Sequence, residues 1–116
     1  MTVELKHLTL TRALSVIDLE TTGTDTRTDR IVEVAVLTVY PDGSVVPFVR
    51  RVNPGRAIPA GASAIHGITD ADVAGAPAFA AIAPDLFAAL VGSVPARRIT
   101  LSKMCGIALV ETVRAC

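Results

Sequence analysis

Between residues 13 and 52 the chain runs in short apolar stretches rich in β-branched residues, broken by segments carrying Thr, Asp, Gly and Pro. Ala13–Leu19 reads as a first strand. Ile31–Tyr40 reads as a second, largely buried one, since Val and Ile at that density suit a covered, pleated surface. Thr21–Arg30 between them has no large apolar residue and reads as an exposed loop. Pro41-Asp-Gly43 predicts a hairpin turn, with Gly43 free to take a positive φ. Val45–Val52 then returns as a third, antiparallel strand, and Pro47 marks it as an edge or irregular. Leu8–Arg12 is a short Thr-rich lead-in.

After residue 52 the period changes. Asn53–Gly61 is a loop by its Pro and Gly content, and Ala62–Ile65 fits one helical turn ended by His66-Gly67. Thr69 suits an N-cap for Asp70–Val73, with acids in the first turn to match the helix dipole. Pro77 is placed to open a longer helix through Leu90, where Phe79, Ile82, Leu86 and Leu90 recur three and four apart as a packing face. Pro84 inside that stretch predicts a kink or a later start, and Val91-Gly92 closes it. From Ser93 the character shifts: Val94–Cys105 follows no clear period, and Gly106–Val113 fits a short helix or strand. No internal repeat is present. The expected architecture is an incomplete α/β layer: a three-stranded meander covered on one face by the helix around Pro84–Val91. One sheet edge and one face stay short of cover, which predicts marginal stability or oligomerisation.

The first strand carries the candidate chemistry. Side chains alternate faces along a strand, so Asp18 and Glu20 point the same way. In an apolar segment an uncompensated charge costs several kcal/mol or shifts its pKa, so two such carboxylates ask for a partner. A hard cation that takes oxygen ligands, Mg²⁺ or Mn²⁺, meets that need. The structural alternative is an edge strand whose polar face is simply solvated.

Composition narrows the field. At 116 residues the chain is one small domain at most, and a 51% hydrophobic fraction supplies a core and argues against disorder. With 3% aromatic residues and no Trp, binding of bases mainly by stacking is disfavoured. Formal net charge is zero, so nucleic-acid affinity has to come from a local patch or from metal ions. The N-terminus lacks the basic start and apolar core of a signal peptide, and no apolar run reaches the roughly 20 residues that span a bilayer. A cytoplasmic protein with no membrane partner is expected. Cys105 and Cys116, eleven apart with no His nearby, suit a reduced pair better than a zinc site.

Val16-Ile-Asp-Leu-Glu-Thr-Thr-Gly23 resembles the first motif of the DEDD-type 3′–5′ exonucleases. These have a ribonuclease-H-like fold and include the proofreading epsilon subunit of bacterial DNA polymerase III. Two further blocks agree in order and spacing: Asp29–Ala35 resembles the second strand of that family. Val52-Asn-Pro-Gly followed by Ala64-Ile-His-Gly-Ile-Thr-Asp70 resembles the segment before its first long helix. The likeness covers about residues 14–92. It implies that Asp18 and Glu20 are catalytic and metal-binding, the first two of four acids. In the family, two divalent ions, Mg²⁺ or Mn²⁺, clamp the scissile phosphate. It further implies that Leu19, Thr21, Thr22 and His66 lie beside the substrate, and that single-stranded DNA 3′ ends and a DNA polymerase are the partners. For His66 the structural alternative is a helix-ending residue that packs or caps; for Glu33 it is a pair with Arg30 or a later cation.

The chain also departs from the family. A His-Asn-x-x-Phe-Asp-like second motif and a third motif with His and Asp are absent: His7 and His66 are the only histidines, and no Asp follows Asp85. Two of four acids and the general-base histidine are missing, which predicts a poorly held second ion and weak or no activity. The expected division is residues 1–92 as the N-terminal part of an exonuclease domain and 93–116 as a tail outside the family. Permitted codons for Arg98–Met104 allow a shifted frame to read His-Asn-Ala-x-x-Asp, so an out-of-frame tail on a truncated exonuclease is one expectation. A non-catalytic nucleic-acid- or polymerase-binding module is the other. A haloacid-dehalogenase-type phosphatase is disfavoured, because Glu20 stands where that signature has Asp.

Overall fold

The computed structural model describes residues 9–91, 93–102 and 105–110. Among the described residues five strands and three helices follow in the order β1 (Ala13–Thr21), β2 (Ile31–Val39), β3 (Val45–Arg51), α1 (Ala60–His66), α2 (Asp70–Val73), α3 (Phe79–Leu90), β4 (Ser93–Ser102) and β5 (Cys105–Val110). The strand order is β3-β2-β1-β4-β5, so β1 lies at the centre. β1 and β3 each pair antiparallel with β2, whereas β4 runs parallel to β1, with Ala13 opposite Ser93 and Val16 opposite Ala96.

The expected meander is present. Tyr40 and Ser44 close its hairpin through Tyr40 N–H donating to the Ser44 carbonyl at 2.9 Å, and Gly43 takes φ 86° there. The sheet then goes beyond three strands: the aperiodic stretch after Ser93 forms β4, and Cys105–Val110 forms β5. Glu111–Cys116, at the end of the expected second segment, lie outside the described residues.

Register sorts the side chains into two faces. On one, Ile17 sits opposite Val36 and Leu19 opposite Val34, and with Val52 they pack beneath Ile82, Leu86 and Leu90 of α3. Ser15 and Thr38, both buried, satisfy each other's hydroxyls at 3.2 Å on this face. Val32 joins Ile58, Ile68 and Val73 in a second cluster, so α1 and α2 are held at the end of β2. The other face carries Asp18, Glu20 and Glu33 beside apolar Leu37 and Val49, which are 40% and 50% exposed.

Two helix expectations are corrected. The long helix starts at Phe79 rather than Pro77, with Ala78 as its extended N-cap. Pro84 lies inside the helix, which runs on to Leu90. Pro84 and Ala80 are both exposed, so the carbonyl that Pro84 leaves without a donor, that of Ala80, can be hydrated. α1 starts two residues before Ala62, after Pro59, and closes at Gly67, whose N–H donates to the Ser63 carbonyl at 2.8 Å. Thr69 caps α2 as expected; its N–H and hydroxyl both donate to Asp72 Oδ2, at 2.8 and 3.0 Å. Among the described residues no helix is long and apolar enough to cross a membrane.

Candidate functional site

β1 runs two residues further than Leu19, which keeps Glu20 and Thr21 in the strand and sets Asp18 and Glu20 on one face. The register shifts between Glu20 and Thr21, a bulge at the point where the strand leaves the sheet. Asp18 Oδ1 is buried and accepts no hydrogen bond among the described residues, and Glu20 Oε2 is also buried. The Asp18 carboxyl is pushed above its ordinary value, chiefly by burial and secondly by the negative charge of Glu33; the Leu19 N–H partly offsets this. A carboxylate oxygen without water or a donor destabilises its charged form, and a cation would relieve it. The donor set, two acids on one strand face, fits a hard divalent ion.

Glu33 stands directly across from Glu20, and Arg51 directly across from Glu33, so acid, acid and base form one row over β1, β2 and β3. Arg51 Nε donates to Glu33 Oε2 at 3.2 Å, and its Nη1 lies 3.9 Å from Asp72 Oδ1. The cation that pairs with Glu33 is therefore Arg51; Arg30 instead gives its backbone N–H to Thr22 Oγ1 at 3.0 Å. Among the described residues no group of three or more His, Cys, Asp or Glu side chains is placed to hold a metal ion.

The loop after β1 is mostly exposed, as expected, and is also closed by a hydrogen-bonded latch. Thr22, 1% exposed, donates its hydroxyl to Asp29 Oδ1 at 2.7 Å, and its N–H donates to the Arg30 carbonyl at 2.9 Å. Asp29 Oδ2 accepts from the Asp25 N–H at 2.9 Å. Arg56 reaches the loop from the β3–α1 connection, donating to the Thr28 carbonyl at 2.8 Å and lying 3.9 Å from Asp29. The Thr22 hydroxyl first, then the Asp25 N–H and the Arg56 charge, hold the Asp29 carboxyl below its ordinary value. Gly23 lies hard against this carboxylate.

The remaining candidates are placed as follows. Leu19 packs into the core on the face away from the acids. The Thr21 hydroxyl donates to the Gly23 carbonyl at 2.6 Å. His66 is engaged at both ring nitrogens: Nδ1 accepts the Ile68 N–H at 3.0 Å, which leaves the proton on Nε2 to be donated to the Thr21 carbonyl at 3.0 Å. His66 thus ties the end of β1 to the turn between α1 and α2. Asp29 and Arg51 were not singled out from the sequence. The available signal was strand register, since Arg51 falls opposite Glu33 once the hairpin at Gly43 is fixed.

Comparison with known proteins gives a consistent result. The sequence profile of a family described as Exonuclease matches residues 15–99. A DNA polymerase III subunit epsilon-like protein of Rhodobacter capsulatus is 47% identical over 70 residues, covering 58% of this chain and 10% of the relative. The DNA polymerase III subunit epsilon of Treponema pallidum is 35% identical over 82 residues, covering 71% of this chain and 38% of the relative. The chain thus spans less than half the length of either. Among solved structures, Exonuclease X in complex with 5′ overhanging duplex DNA superposes with a TM-score of 0.56 at 40% identity, covering 63% of this chain and 42% of that one. E. coli Exonuclease I bound to an oligonucleotide superposes at 0.63 over 72% of this chain and 20% of its own, at 23% identity, a likeness of fold.

Proposed function

Because the chain belongs to this exonuclease family, we propose that it carries the Asp18 and Glu20 portion of a divalent-metal site for hydrolysing phosphodiester bonds at the 3′ ends of single-stranded DNA. The observation that carries the reading is Asp18 Oδ1, buried and without a donor among the described residues on the face it shares with Glu20. Asp18 and Glu20 are the residues that would hold Mg²⁺ or Mn²⁺, which when bound supplies charge neutralisation at the phosphate and a more acidic water. Thr22, Asp29 and His66 position the end of β1. Their polar atoms are engaged within the loop and the α1–α2 turn, and the Thr21 hydroxyl already donates to the Gly23 carbonyl, so a 3′ nucleotide would meet the Thr21 hydroxyl as an acceptor or the face of the His66 ring. Replicative proofreading beside a polymerase is the setting suggested by the epsilon relatives.

Titration of Mn²⁺ into the full chain tests this, followed by calorimetry and by the melting temperature. Binding that Asp18→Asn removes, with a rise in melting temperature only for the unsubstituted chain, is expected. Trimming of a labelled single-stranded oligonucleotide should be slow, because the family's second and third motifs are not in the sequence. That the family likeness gives way to a divergent or out-of-frame tail from about residues 93–98 onward belongs to the same proposal; the profile match ends at residue 99 and overlaps the first residues of that tail. Translating the coding DNA across residues 92–116 in all frames decides it.

A second reading, a non-catalytic nucleic-acid- or polymerase-binding module, is favoured by one observation: no group of three or more metal-ligating side chains is assembled among the described residues. It predicts DNA binding that ignores Mg²⁺ and survives Asp18→Ala.

A further inference from the structure

Resting on the metal-site reading, we propose that Glu33 is a positioning residue for the divalent cation, acting through space on Asp18 and Glu20, and that Arg51 sets how strongly it acts. Register alone makes the juxtaposition. Side chains directly opposite on neighbouring strands have Cβ atoms about 5 Å apart, and diagonal ones remain within reach of one another's charge. Glu33 is opposite Glu20 and diagonal to Asp18, on the face away from the α3 core. It is not placed as a third ligand, consistent with the lack of a three-residue cluster among the described residues. Its influence is Coulombic.

Arg51 is what keeps this influence partial. Its contact with Glu33 is a single Nε–Oε2 bond rather than a two-pronged fork, and the same guanidinium leans toward Asp72 at the start of α2. The Arg51 side chain is 47% exposed against 26% for Glu33, so the cation is better screened by water than the acid it faces. Among the described residues, one positive charge shared between two carboxylates leaves a net negative charge beside Asp18 and Glu20. A divalent ion between Asp18 and Glu20 turns that repulsion into attraction. Asp72 is itself held by Thr69, so α2 fixes how far Arg51 can be drawn from Glu33.

Mn²⁺ titration of the full chain, followed by calorimetry at low salt, compares Glu33→Gln, Arg51→Gln and Asp18→Asn with the unsubstituted protein. Glu33→Gln is expected to weaken Mn²⁺ binding about three- to tenfold, and Arg51→Gln to strengthen it about two- to fivefold. Both differences should shrink at about 0.5 M NaCl, where charges are screened within a few ångströms. A merely structural role moves both variants in the same direction and is insensitive to salt. Binding that Asp18→Asn abolishes while Glu33→Gln leaves it unchanged overturns this proposal and spares the metal-site reading. Absence of any Mn²⁺ binding by the unsubstituted chain overturns both.

Discussion

Asp18 and Asp29 stand at either end of the same short stretch of chain and are treated in opposite ways. Asp29 is surrounded by donors: the Thr22 hydroxyl, the Asp25 N–H and the Arg56 guanidinium lower its pKa. Asp18 has an oxygen buried with no donor among the described residues, a like charge nearby, and a pKa pushed up. A fold that needed Asp18 only for itself would satisfy it as it satisfies Asp29. The difference separates an acid that builds the loop from one that the fold tolerates at a cost, and such a cost marks a candidate site.

The sharpest way to break the contrast is at Gly23. A Cβ there would sit 2.8 Å from Asp29 Cγ and 2.9 Å from Oδ1, and the carboxylate cannot swing away without losing the bonds from Thr22 and Asp25. Gly23→Ala is expected to lower stability by about 3 kcal/mol in urea unfolding. Asp29→Ala should cost less, about 2 kcal/mol, since it removes the acceptor from a buried Thr22 hydroxyl without adding a clash. Asp18→Asn should go the other way. In metal-free buffer at neutral pH it is expected to stabilise, by less than about 1 kcal/mol because Asp18 is only half-buried and partly screened. If Asp18→Asn destabilises as Asp29→Ala does, the contrast between the two acids fails.

pH separates them again. Because the pKa of Asp18 is raised in the folded state, the fold favours its protonated form, and that stability is lost as pH rises above 3.8 through the raised value. Asp29 has a lowered folded pKa, so its stabilisation is present above 3.8 and lost as pH falls below it. Unfolding curves between about pH 2 and 7 should therefore show Asp18→Asn gaining on the unsubstituted chain as pH rises. Asp29→Asn should lose ground over the lower part of that range.

How much of this could be read from the sequence depended on how local its cause was. β2, β3 and their hairpin follow from a β-branched run and a Pro-Asp-Gly turn, and α2 from Thr69, all signals within a few residues. The placing of Asp18 and Glu20 on one face needed only the strand period. β4 was not legible: its sequence follows no clear period, and its pairing with β1 is set by the crossover through the helices. The latch was missed for a related reason. Thr22 and Asp29 lie in a polar segment whose composition signals a loop and says nothing of which hydroxyl meets which carboxylate. Which outcome Pro84 brings was not legible locally, because a proline's effect on a helix depends on whether the freed carbonyl meets water, which only packing decides.

The position of β1 also bears on how the chain acquires its shape during synthesis. On one side β1 meets β2, made almost at once; on the other its partner is the start of β4, with Ala13 waiting for Ser93. A nascent chain can close the meander early, but the far edge of its central strand stays open until the residues from Ser93 onward have left the ribosome. Asp18 and Glu20 lie just past the stretch that β4 pairs, which runs from Ala13 to Val16, and their charges discourage that part of the edge from joining another growing chain.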